Sequence, residues 1–370
     1  MQEIENAFLA SGGEFVQKKV GDIFQIETGS LVGTEKLTNG EIRRISAKNE
    51  NNGIIGSFNT LNVEEARHFE NFITVNFFGK AFYHPYQASV EMKVHVLKMK
   101  NHIFNKYTGL YLTALLDKRF SENYSYGSQL SSSKLKQHDF YIELPYQNNE
   151  IAFDYMERFV QQLRAERAQE LRAFLKLSNL TNVNLSKDEE NALAQLSDSL
   201  NWKMFNLKEL FGSATRGKRL KSDDRISGSL PFVTAGEAST GISAFIGNSV
   251  DVFKSNTVTI DMFGSAKYRN YEYGADDHIA VVHTDKIAKH AVLFATAAMH
   301  KVANAGQFSY SRNFYAKDAD ELNIMLPEKD GEPDWEFMAL IGRAIEKCVI
   351  ADVVAFNERE MAAYEQVIYS

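Results

Sequence analysis

Two stretches of the chain, NFFGKAFYHPY at residues 76–86 and DMFGSAKYRNY at residues 261–271, share the pattern Phe-Gly-x-Ala-x-Tyr-x-x-Tyr. The match continues in chain order on both sides of this pattern, at a nearly constant offset. Further paired positions are Asn71 with Asn256, Thr74 with Thr259, Val94 with Ile279, and Val96 with Val281. This many ordered matches indicates that the chain contains an internal duplication.

The composition is that of a globular protein with room for two domains. The chain has 370 residues, of which 44% are hydrophobic and 24% are charged. Its net charge of −7 argues against nonspecific coating of nucleic acid, but it does not conflict with a local basic face. The single cysteine, Cys348, excludes an internal disulfide and a site with several cysteine ligands. No leader pattern or bilayer-length apolar run is visible, so we expect a cytoplasmic protein without a membrane partner.

Each copy of the repeat is predicted to begin with a β-rich part. Gly, Asn and Ser interrupt short runs of β-forming residues, such as FITVNFFG at 72–79 and TVTIDMFG at 257–264. A helical segment follows in each copy, at residues 108–120 and 289–302. The expected fold class is therefore α+β, with two β-rich domains of similar design.

A long helix is predicted to close each copy, over residues 151–177 and 334–367. Apolar residues recur every three or four positions, which favours a seam between the two helices over packing of each helix on its own domain. The seam positions are Phe153, Met156, Val160, Leu163, Leu171 and Phe174 in the first helix, and Trp335, Met338, Ile341, Ile345, Val349, Val353 and Phe356 in the second. Between the copies, Ser186 and Glu189 predict the capped start of a short helix.

No stretch carries a complete catalytic pattern. The five prolines are never adjacent, so the Asn/Asp-Pro-Pro-aromatic loop of amine-directed methyltransferases is absent. GxxxxGK[ST] phosphate loops and Gly-x-Ser-x-Gly elbows are absent as well. The nine histidines do not cluster at metal-ligand spacing, and Asp276-Asp277-His278 is interpreted as a loop.

One enzyme hypothesis stays open beside the binding hypotheses. In VEMKV, residues 90–94, Glu91 and Lys93 resemble the Glu-x-Lys strand of metal-dependent nucleases. Such a site needs an upstream acidic partner, commonly Asp, and the sequence has no Asp between Asp22 and Asp117. A solvated strand face therefore explains VEMKV better, and the nuclease is kept as the alternative function.

The loops of both copies are rich in side chains that bind phosphates and base edges. A generic polar surface, or a scaffold that binds only protein, would also explain any single loop. Loops of this kind at matched places in two repeats favour nucleic acid. The candidate DNA-binding residues are Lys80, His84, Tyr126, Ser132, Lys134, Lys136, Arg216, Lys218, Arg219, Lys221, Ser265, Lys267, Arg269, Tyr310 and Arg312.

The layout resembles the specificity (S) subunits of type I restriction-modification systems and the related recognition subunits of some type II systems. The resemblance is carried by FNLKELFGSATRGKRL at 205–220, PFVTAGEASTGISAFIGN at 231–248, and NTVTIDMFGSAKYRNYEYGADDHIAVV at 256–282. It implies two target-recognition domains, each followed by a long helix, with the helices paired as an antiparallel coiled coil. The implied domains are residues 1–146 (first recognition domain), 147–200 (first spacer helix and linker), 201–329 (second recognition domain) and 330–370 (second spacer helix).

The resemblance also implies a function. Such a subunit catalyses nothing and binds no cofactor itself, but reads the two halves of a split, asymmetric target in double-stranded DNA. Pseudo-twofold symmetry implies two DNA adenine methyltransferase subunits as partners, and a complete system adds restriction subunits. S-adenosylmethionine, ATP and Mg²⁺ are expected on those partners. A helix of about 27 residues is roughly 40 Å long, which corresponds to about twelve base pairs between half-sites.

Overall fold

The computed structural model describes residues 2–121, 123–137, 140–198 and 200–368. The chain divides into two compact units, Met1–Ala173 with Asn357–Ser370, and Phe174–Phe356. Both units combine sheets with helices, so the α+β class is confirmed. Among the described residues, no helix is both long enough and apolar enough to cross a membrane.

The described residues of the first unit form eleven strands, four complete helices and most of a fifth, together with the end of the last helix of the chain. Its strands are β1 (Glu14–Lys19), β2 (Phe24–Thr28), β3 (Asn39–Ile45), β4 (Ile54–Phe58), β5 (His68–Phe69), β6 (Phe72–Asn76), β7 (Ala81–His84), β8 (Ala88–Val90), β9 (Val94–Met99), β10 (Tyr141–Gln147) and β11 (Glu150–Ile151). Its helices are α1 (Gln2–Ala10), α2 (Val20–Ile23), α3 (Lys106–Phe120), α4 (Ser132–Gln137) and α5 (Phe153–Leu177), with 3₁₀ turns at Thr34–Lys36 and Asn51–Gly53.

The second unit has the same series of elements, and its last helix continues into the first unit. Its strands are β12 (Trp202–Asn206), β13 (Thr215–Arg216), β14 (Ser227–Val233), β15 (Ile242–Ile246), β16 (Thr257–Asp261), β17 (Ala266–Arg269), β18 (Gly274–Ala275), β19 (Ile279–Val282), β20 (Asn323–Lys329) and β21 (Glu332–Pro333). Its helices are α6 (Lys187–Asp198), α7 (Leu207–Phe211), α8 (Lys289–Ala303), α9 (Ala316–Glu321) and α10 (Trp335–Ile368), with 3₁₀ turns at Ser222–Asp224 and Ala238–Gly241.

The three sheets of the first unit recur in the second with the same strand order. Antiparallel sheet β2-β9-β6-β7 corresponds to antiparallel sheet β13-β19-β16-β17. Sheet β4-β3-β8 corresponds to β15-β14-β18, and each contains one parallel pair. Sheet β1-β10-β11 corresponds to β12-β20-β21. The predicted duplication is therefore confirmed as a repeat of topology; the first unit adds only the short edge strand β5.

A tight turn joins the strands of the shared motif in each unit. The side-chain oxygen of Asn76 accepts hydrogen bonds from the backbone N–H groups two and four residues later, at 2.9 and 3.0 Å. The Asp261 carboxylate accepts the equivalent pair at 3.0 and 3.1 Å. Both residues can do this because a short acceptor side chain folds back onto its own turn.

The glycine of each turn is required by its surroundings. Gly79 and Gly264 have φ angles of +86° and +84°, in the region that side-chain-bearing residues rarely adopt. A Cβ atom on Gly79 would overlap the carbonyl oxygen of Phe120, and one on Gly264 would overlap that of Ala303. Because Phe120 and Ala303 end α3 and α8, each turn lies directly against the end of a helix.

The first shared tyrosine of each motif anchors the loop that precedes the central strand. The hydroxyl of Tyr83 donates to the side-chain oxygen of Asn71 at 2.8 Å, and Tyr268 donates to Asn256 at 2.9 Å. Both asparagines have left-handed backbones, with φ of 50° and 58°. Their amides donate to a backbone carbonyl in the segment before the following helix, at 2.7 and 2.8 Å. The same residues therefore recur at these positions because they make the same bonds in both units; we call the strands, turns and bonds that the two units share the frame.

The main core of each unit lies between the four-stranded antiparallel sheet that contains the shared motif and the helix that follows this sheet in the chain, α3 or α8. Burying these apolar side chains supplies the main driving force for folding. The first core includes Ile73, Val75, Leu112, Leu116 and Phe120, and the second includes Val258, Ile260, Ala291, Ala295 and Met299.

In the first unit, the last part of α10 lies along α5. Arg164 donates from Nε to the carboxylate of Glu360 at 2.8 Å. The amide of Asn357 donates to the carbonyl oxygen of Ala168 at 2.7 Å. Later residues of α5 therefore meet earlier residues of α10, and the helices run antiparallel as predicted.

The buried stripe of these helices differs from the predicted seam. Phe174 and Val349 are 60% and 72% exposed, whereas Ala165, Ala168 and Asn357 are buried. Small alanine side chains let the two backbones approach, which brings the Asn357 amide within reach of a helix carbonyl. The sequence prediction was wrong for the exposed positions because it followed the largest apolar residues.

The capped start predicted for the short helix is confirmed. The backbone N–H of Ser186 donates to the Glu189 carboxylate at 2.8 Å, and Glu189 N–H donates to Ser186 Oγ at 3.3 Å. Lys347 of α10 donates to the same carboxylate at 2.7 Å. This buried, paired carboxylate fixes the start of α6 against α10 within the second unit.

Replacing Gly264 by Ala should destabilise the second unit much more than replacing Gly212, whose φ is +79° but whose Cβ would meet open space. Gly212→Ala should cost about 1 kcal/mol for backbone strain alone. Gly264→Ala should cost on the order of 3 kcal/mol because the end of α8 must also shift. Urea unfolding followed by tryptophan fluorescence measures this, because Trp202 and Trp335 both lie in the second unit. Equal costs for the two variants would contradict the steric explanation.

Candidate nucleic-acid interface

Each unit presents one exposed tyrosine beside its Phe-Gly turn. Tyr126 is 81% exposed and Tyr310 is 85% exposed. The ring of Tyr126 meets the ring of Phe78 edge-on at 5.1 Å between centroids, and Tyr310 meets Phe263 at the same distance. Because an isolated tyrosine side chain would sample several rotamers, this ring contact holds each hydroxyl in a defined direction.

The hairpins that carry the two tyrosines are fixed to the turns by matching backbone bonds. The N–H of Leu130 donates to the carbonyl of Phe77 at 2.9 Å, and the N–H of Phe314 donates to that of Met262 at 2.9 Å. Each hairpin is closed by a short bridge, between Ser125 and Ser128 or between Ser309 and Arg312. Because both units build the hairpin in the same way, the exposed tyrosine is part of the repeated structure.

The second unit adds a basic loop between α7 and β14. Lys218, Arg219 and Lys221 are exposed there, and no ion pair forms with them among the residues that the structure describes. Arg216 is committed to the frame, because it bonds the backbone and carboxylate of Asp277 and lies over the ring of Tyr315. Unpaired exposed cations are the groups that neutralise phosphates, whereas Arg216 is better placed to shape the loop.

The lysines next to the turns, Lys80 and Lys267, both form ion pairs within their own units. Lys80 donates to Asp117 at 2.8 Å, and its side chain is 34% exposed. Lys267 lies 3.1 Å from the carboxylate of Glu237, and its side chain is only 13% exposed. Ser265 is buried and lies beside Lys267. These residues shape the turn more than they extend from it.

Three of the candidate DNA-binding residues are buried: Ser265, described above, and the interior residues His84 and Arg269. His84 is fully buried and Arg269 is 1% exposed, so neither side chain reaches the surface. His84 Nε2 lies 2.9 Å from the hydroxyl of Thr74, and Arg269 Nε donates to that of Thr259 at 2.9 Å. The prediction that these two side chains contact DNA does not fit the structure. Both hold their strand pair together from within.

The other candidates lie on or beside the hairpins. Ser132 and Lys134 are half-buried in α4, and Lys136 is exposed there. Lys134 donates to the carbonyl of Gln129, which ties α4 to the Tyr126 hairpin. Arg312 is exposed but donates to Asp318 at 2.7 Å, so its guanidinium is partly neutralised. Their contact with DNA stays a prediction.

The structure does not support the nuclease alternative. Glu91 faces the buried guanidinium of Arg44, 3.8 Å away, where an upstream acidic partner would be needed. Lys93 lies over the ring of Phe77 at 5.2 Å and not beside a carboxylate pair. The ligand atoms of Asp276-Asp277-His278 do lie within 4.8 Å of one another, but Asp277 is paired with Arg216. An arginine in that position opposes binding of a cation.

One exposed feature of both units was not predicted from the sequence. Asn51 and Asn52 in the first unit, and Ser239 and Thr240 in the second, have left-handed backbones followed by a left-handed glycine. All four side chains are exposed. The available signal was the aligned pair Asn-Asn-Gly and Ser-Thr-Gly, each preceding the matched isoleucine that starts β4 or β15.

Comparison with known proteins gives a consistent result. A family model described as "Type I restriction modification DNA specificity domain" matches residues 13–173 and 199–353. The curated protein "Type II restriction enzyme BgcI specificity subunit S.BcgI" of Heyndrickxia coagulans is 28% identical over 255 residues, 64% of this chain and 69% of that protein. The crystal structure of a type I restriction-modification S subunit from M. genitalium has the same fold, with a TM-score of 0.61 and 14% identity over 96% of this chain and 94% of that one.

The buried histidines of the first unit predict a dependence of its stability on pH. Burial, aided by the nearby charge of Arg43, lowers the pKa of His84 to about 4, and burial also lowers the pKa of His95. Below pH 6.5 the unfolded chain binds protons that the folded unit does not bind. Stability from these residues is therefore complete above pH 6.5 and falls as pH drops toward 4, by on the order of 2 kcal/mol for His84.

Amide hydrogen exchange of β6–β7 compared with β16–β17 measures this effect. Arg269 takes the place of the histidine in β17, and β16 and β17 contain no histidine, so the second pair of strands serves as an internal control. Protection of β6–β7 should fall more steeply between pH 7 and pH 4.5, and a His84→Gln variant should reduce that slope. Equal slopes in both pairs of strands would show that His84 does not titrate as predicted.

Proposed function

The chain belongs to the family of type I restriction-modification DNA specificity domains, and on that basis we propose that it reads a split, asymmetric target in double-stranded DNA. In this proposal, residues 1–146 form one recognition domain and residues 201–329 form the other. The helical segments at 147–200 and 330–370 form the spacer between them. The complex in which the chain acts would then methylate, and in a complete system cleave, DNA at the sites that the chain selects.

One observation carries the proposal: the two units share a frame but present different chemistry around it. The tyrosine tips Tyr126 and Tyr310 have matching positions and exposures. Around them, the second unit exposes Lys218, Arg219 and Lys221, and the first unit exposes Lys136 on α4. A duplicated protein that bound two identical sites would have no reason to differ there. Different surfaces on one frame are the arrangement that an asymmetric target requires.

The second unit also has an apolar groove that is suited to binding a partner subunit. A groove of about 1110 Å³ is lined mainly by apolar side chains of α8 and α10, together with Trp202 and Met325. Val349, at its α10 wall, is 72% exposed. Contiguous apolar side chains that line an open groove are suited to binding another protein. We assign this groove to a DNA methyltransferase subunit, because the catalytic partner of a specificity subunit must be held close to the DNA that it modifies.

In this proposal the chain itself catalyses no reaction. Adenine methylation with S-adenosylmethionine, and any step that needs ATP and Mg²⁺, belongs to the partner subunits. The number of methyltransferase subunits is proposed to be two, one for each copy of the repeat. The net charge of −7 supports a further division of work, in which partner subunits neutralise many of the DNA phosphates.

Selection from random-sequence DNA by the assembled methyltransferase complex tests the function. The wild-type complex should enrich a motif in two separated parts. Tyr126→Ala should weaken preference in one part and Tyr310→Ala in the other, each by roughly tenfold, because a good base contact contributes about 1–3 kcal/mol. Tyr141→Ala is the matched control, since Tyr141 is exposed on β10 outside the hairpins. A wild-type complex that enriched no motif would refute the proposed function.

The groove on the second unit predicts how the partner binds. Val349→Asp places a charge in an apolar wall and should reduce co-purification of the methyltransferase subunit by at least roughly tenfold, because burying an unpaired charge is costly. Ile103→Asp is the control, because Ile103 is 83% exposed in the first unit and lies outside the groove. Circular dichroism checks that both variants fold. Unchanged co-purification of Val349→Asp would exclude the groove as the docking site.

A further inference from the structure

A strained pair of residues occurs at the same place in both units, in the loop between the first two strands of the mixed sheet. Asn51 and Asn52 have φ of 48° and 51°, and Ser239 and Thr240 have φ of 48° and 54°. A glycine with φ of +77° or +83° follows each pair. Successive left-handed residues are otherwise found mainly in tight hairpin turns, where asparagine and glycine adopt them readily, as at Asn148 and Asn149 in this chain. For other residue types the conformation is strained and persists only where the surrounding structure enforces it.

The residue types in the second unit are poorly suited to this backbone. Asparagine tolerates the left-handed region well, but serine does so less readily and β-branched threonine is an outlier there. Ser239 and Thr240 are nevertheless exposed, and neither side chain has a hydrogen-bond partner among the described residues. The protein's interior therefore gives no reason for the choice of serine and threonine over asparagine. Exposed side chains without internal partners are available to contact a ligand.

The loop in the second unit is held by the buried interior of the motif. Arg269 donates from Nη1 to the carbonyl of Thr240 at 2.8 Å, and to the hydroxyl of Tyr271 at 3.0 Å. The N–H of Thr234 donates to the carbonyl of Gly241 at 2.9 Å, which closes the loop. Arg269 is thus a positioning residue. It fixes the backbone beneath Thr240 without reaching the surface itself.

The loop also lies beside the turn that supports the exposed tyrosine. The N–H of Gly236 donates to Asp261 at 3.4 Å, and Lys267 bridges from Asp261 to Glu237. In the first unit, the Asn76 amide donates to the side-chain oxygen of Asn49 at 2.9 Å, in the equivalent loop. The loop that carries the strained pair and the hairpin that carries the exposed tyrosine are therefore attached to the same turn in each unit, the loop through Asp261 or Asn76 and the hairpin through the next residue, Met262 or Phe77.

We propose that Ser239 and Thr240 are specificity-determining residues that contact base edges in the half-site read by the second unit, and that Asn51 and Asn52 do so in the other half-site. This inference deepens the proposed function and rests on it. Serine and threonine hydroxyls donate to and accept from base edges, and the threonine methyl group packs against the thymine methyl group. Asparagine instead pairs with both edge groups of adenine. A rigid, strained backbone lets such short side chains discriminate between bases.

The test replaces Ser239 and Thr240 together by asparagine, copying the first unit onto the second. Asparagine suits the left-handed backbone, so the variant should unfold at the same temperature as the wild type or at a higher one. In selection from random-sequence DNA by the assembled methyltransferase complex, the half-site read by the second unit should change its preferred base at one or more positions, by tenfold or more. The other half-site should be unchanged.

The outcomes separate this inference from the function on which it rests. A two-part motif in the wild type with an identical motif in the asparagine variant would overturn the assignment and leave the proposed function intact. A wild-type complex without any motif would overturn both. A second variant, Thr240→Gly, removes the side chain while keeping the backbone conformation. It should fold and lose discrimination at the affected position, and retained discrimination would also overturn the assignment.

Discussion

The structure of each unit depends on one short polar side chain at the end of the central motif strand, Asn76 in the first unit and Asp261 in the second. Each accepts two hydrogen bonds from the turn that follows it, which forces the glycine into a left-handed conformation against a helix end. Each also reaches sideways to the loop after the first strand of the mixed sheet. This residue thereby links the turn to the loop, and the tyrosine hairpin is bonded to the residue that follows it, Phe77 or Met262.

The two units use this frame with opposite polarity. Asn76 donates through its amide to Asn49, whereas Asp261 can only accept, and it gathers Gly236 and Lys267 around its carboxylate. In the same way, the last residue of β7 is the buried histidine His84, and the equivalent last residue of β17 is the buried arginine Arg269. Only the arginine reaches the loop carbonyl beyond its strand pair. Exchanges of this kind preserve the strand register while they change the bonds to the neighbouring loop, as the proposed reading of two different half-sites requires.

Much of the frame could be predicted from the sequence, because repeated Phe, Gly, Ala and Tyr positions report local geometry directly. The repeat, the helices after each β-rich part and the capping of α6 by Ser186 and Glu189 followed from pattern alone. His84 and Arg269 were misplaced because a polar side chain in a short strand normally faces water. Here both faces of the strand are covered, by a helix on one side and a loop on the other. The left-handed pairs were not predicted because serine and threonine do not signal a left-handed backbone. The exposure of Val349 on α10 was not predicted because helices that pair through alanines leave no pattern of large apolar residues in the sequence.

The most direct measurement is an electron cryomicroscopy structure of the assembled methyltransferase complex on its selected DNA. If one frame presents two readers, Tyr126 and Tyr310 will both lie against DNA, together with the strained pair of each unit. The two units will contact separate segments of the duplex with the same face of the repeat. DNA bound to a different face, or to only one of the two units, would contradict that claim.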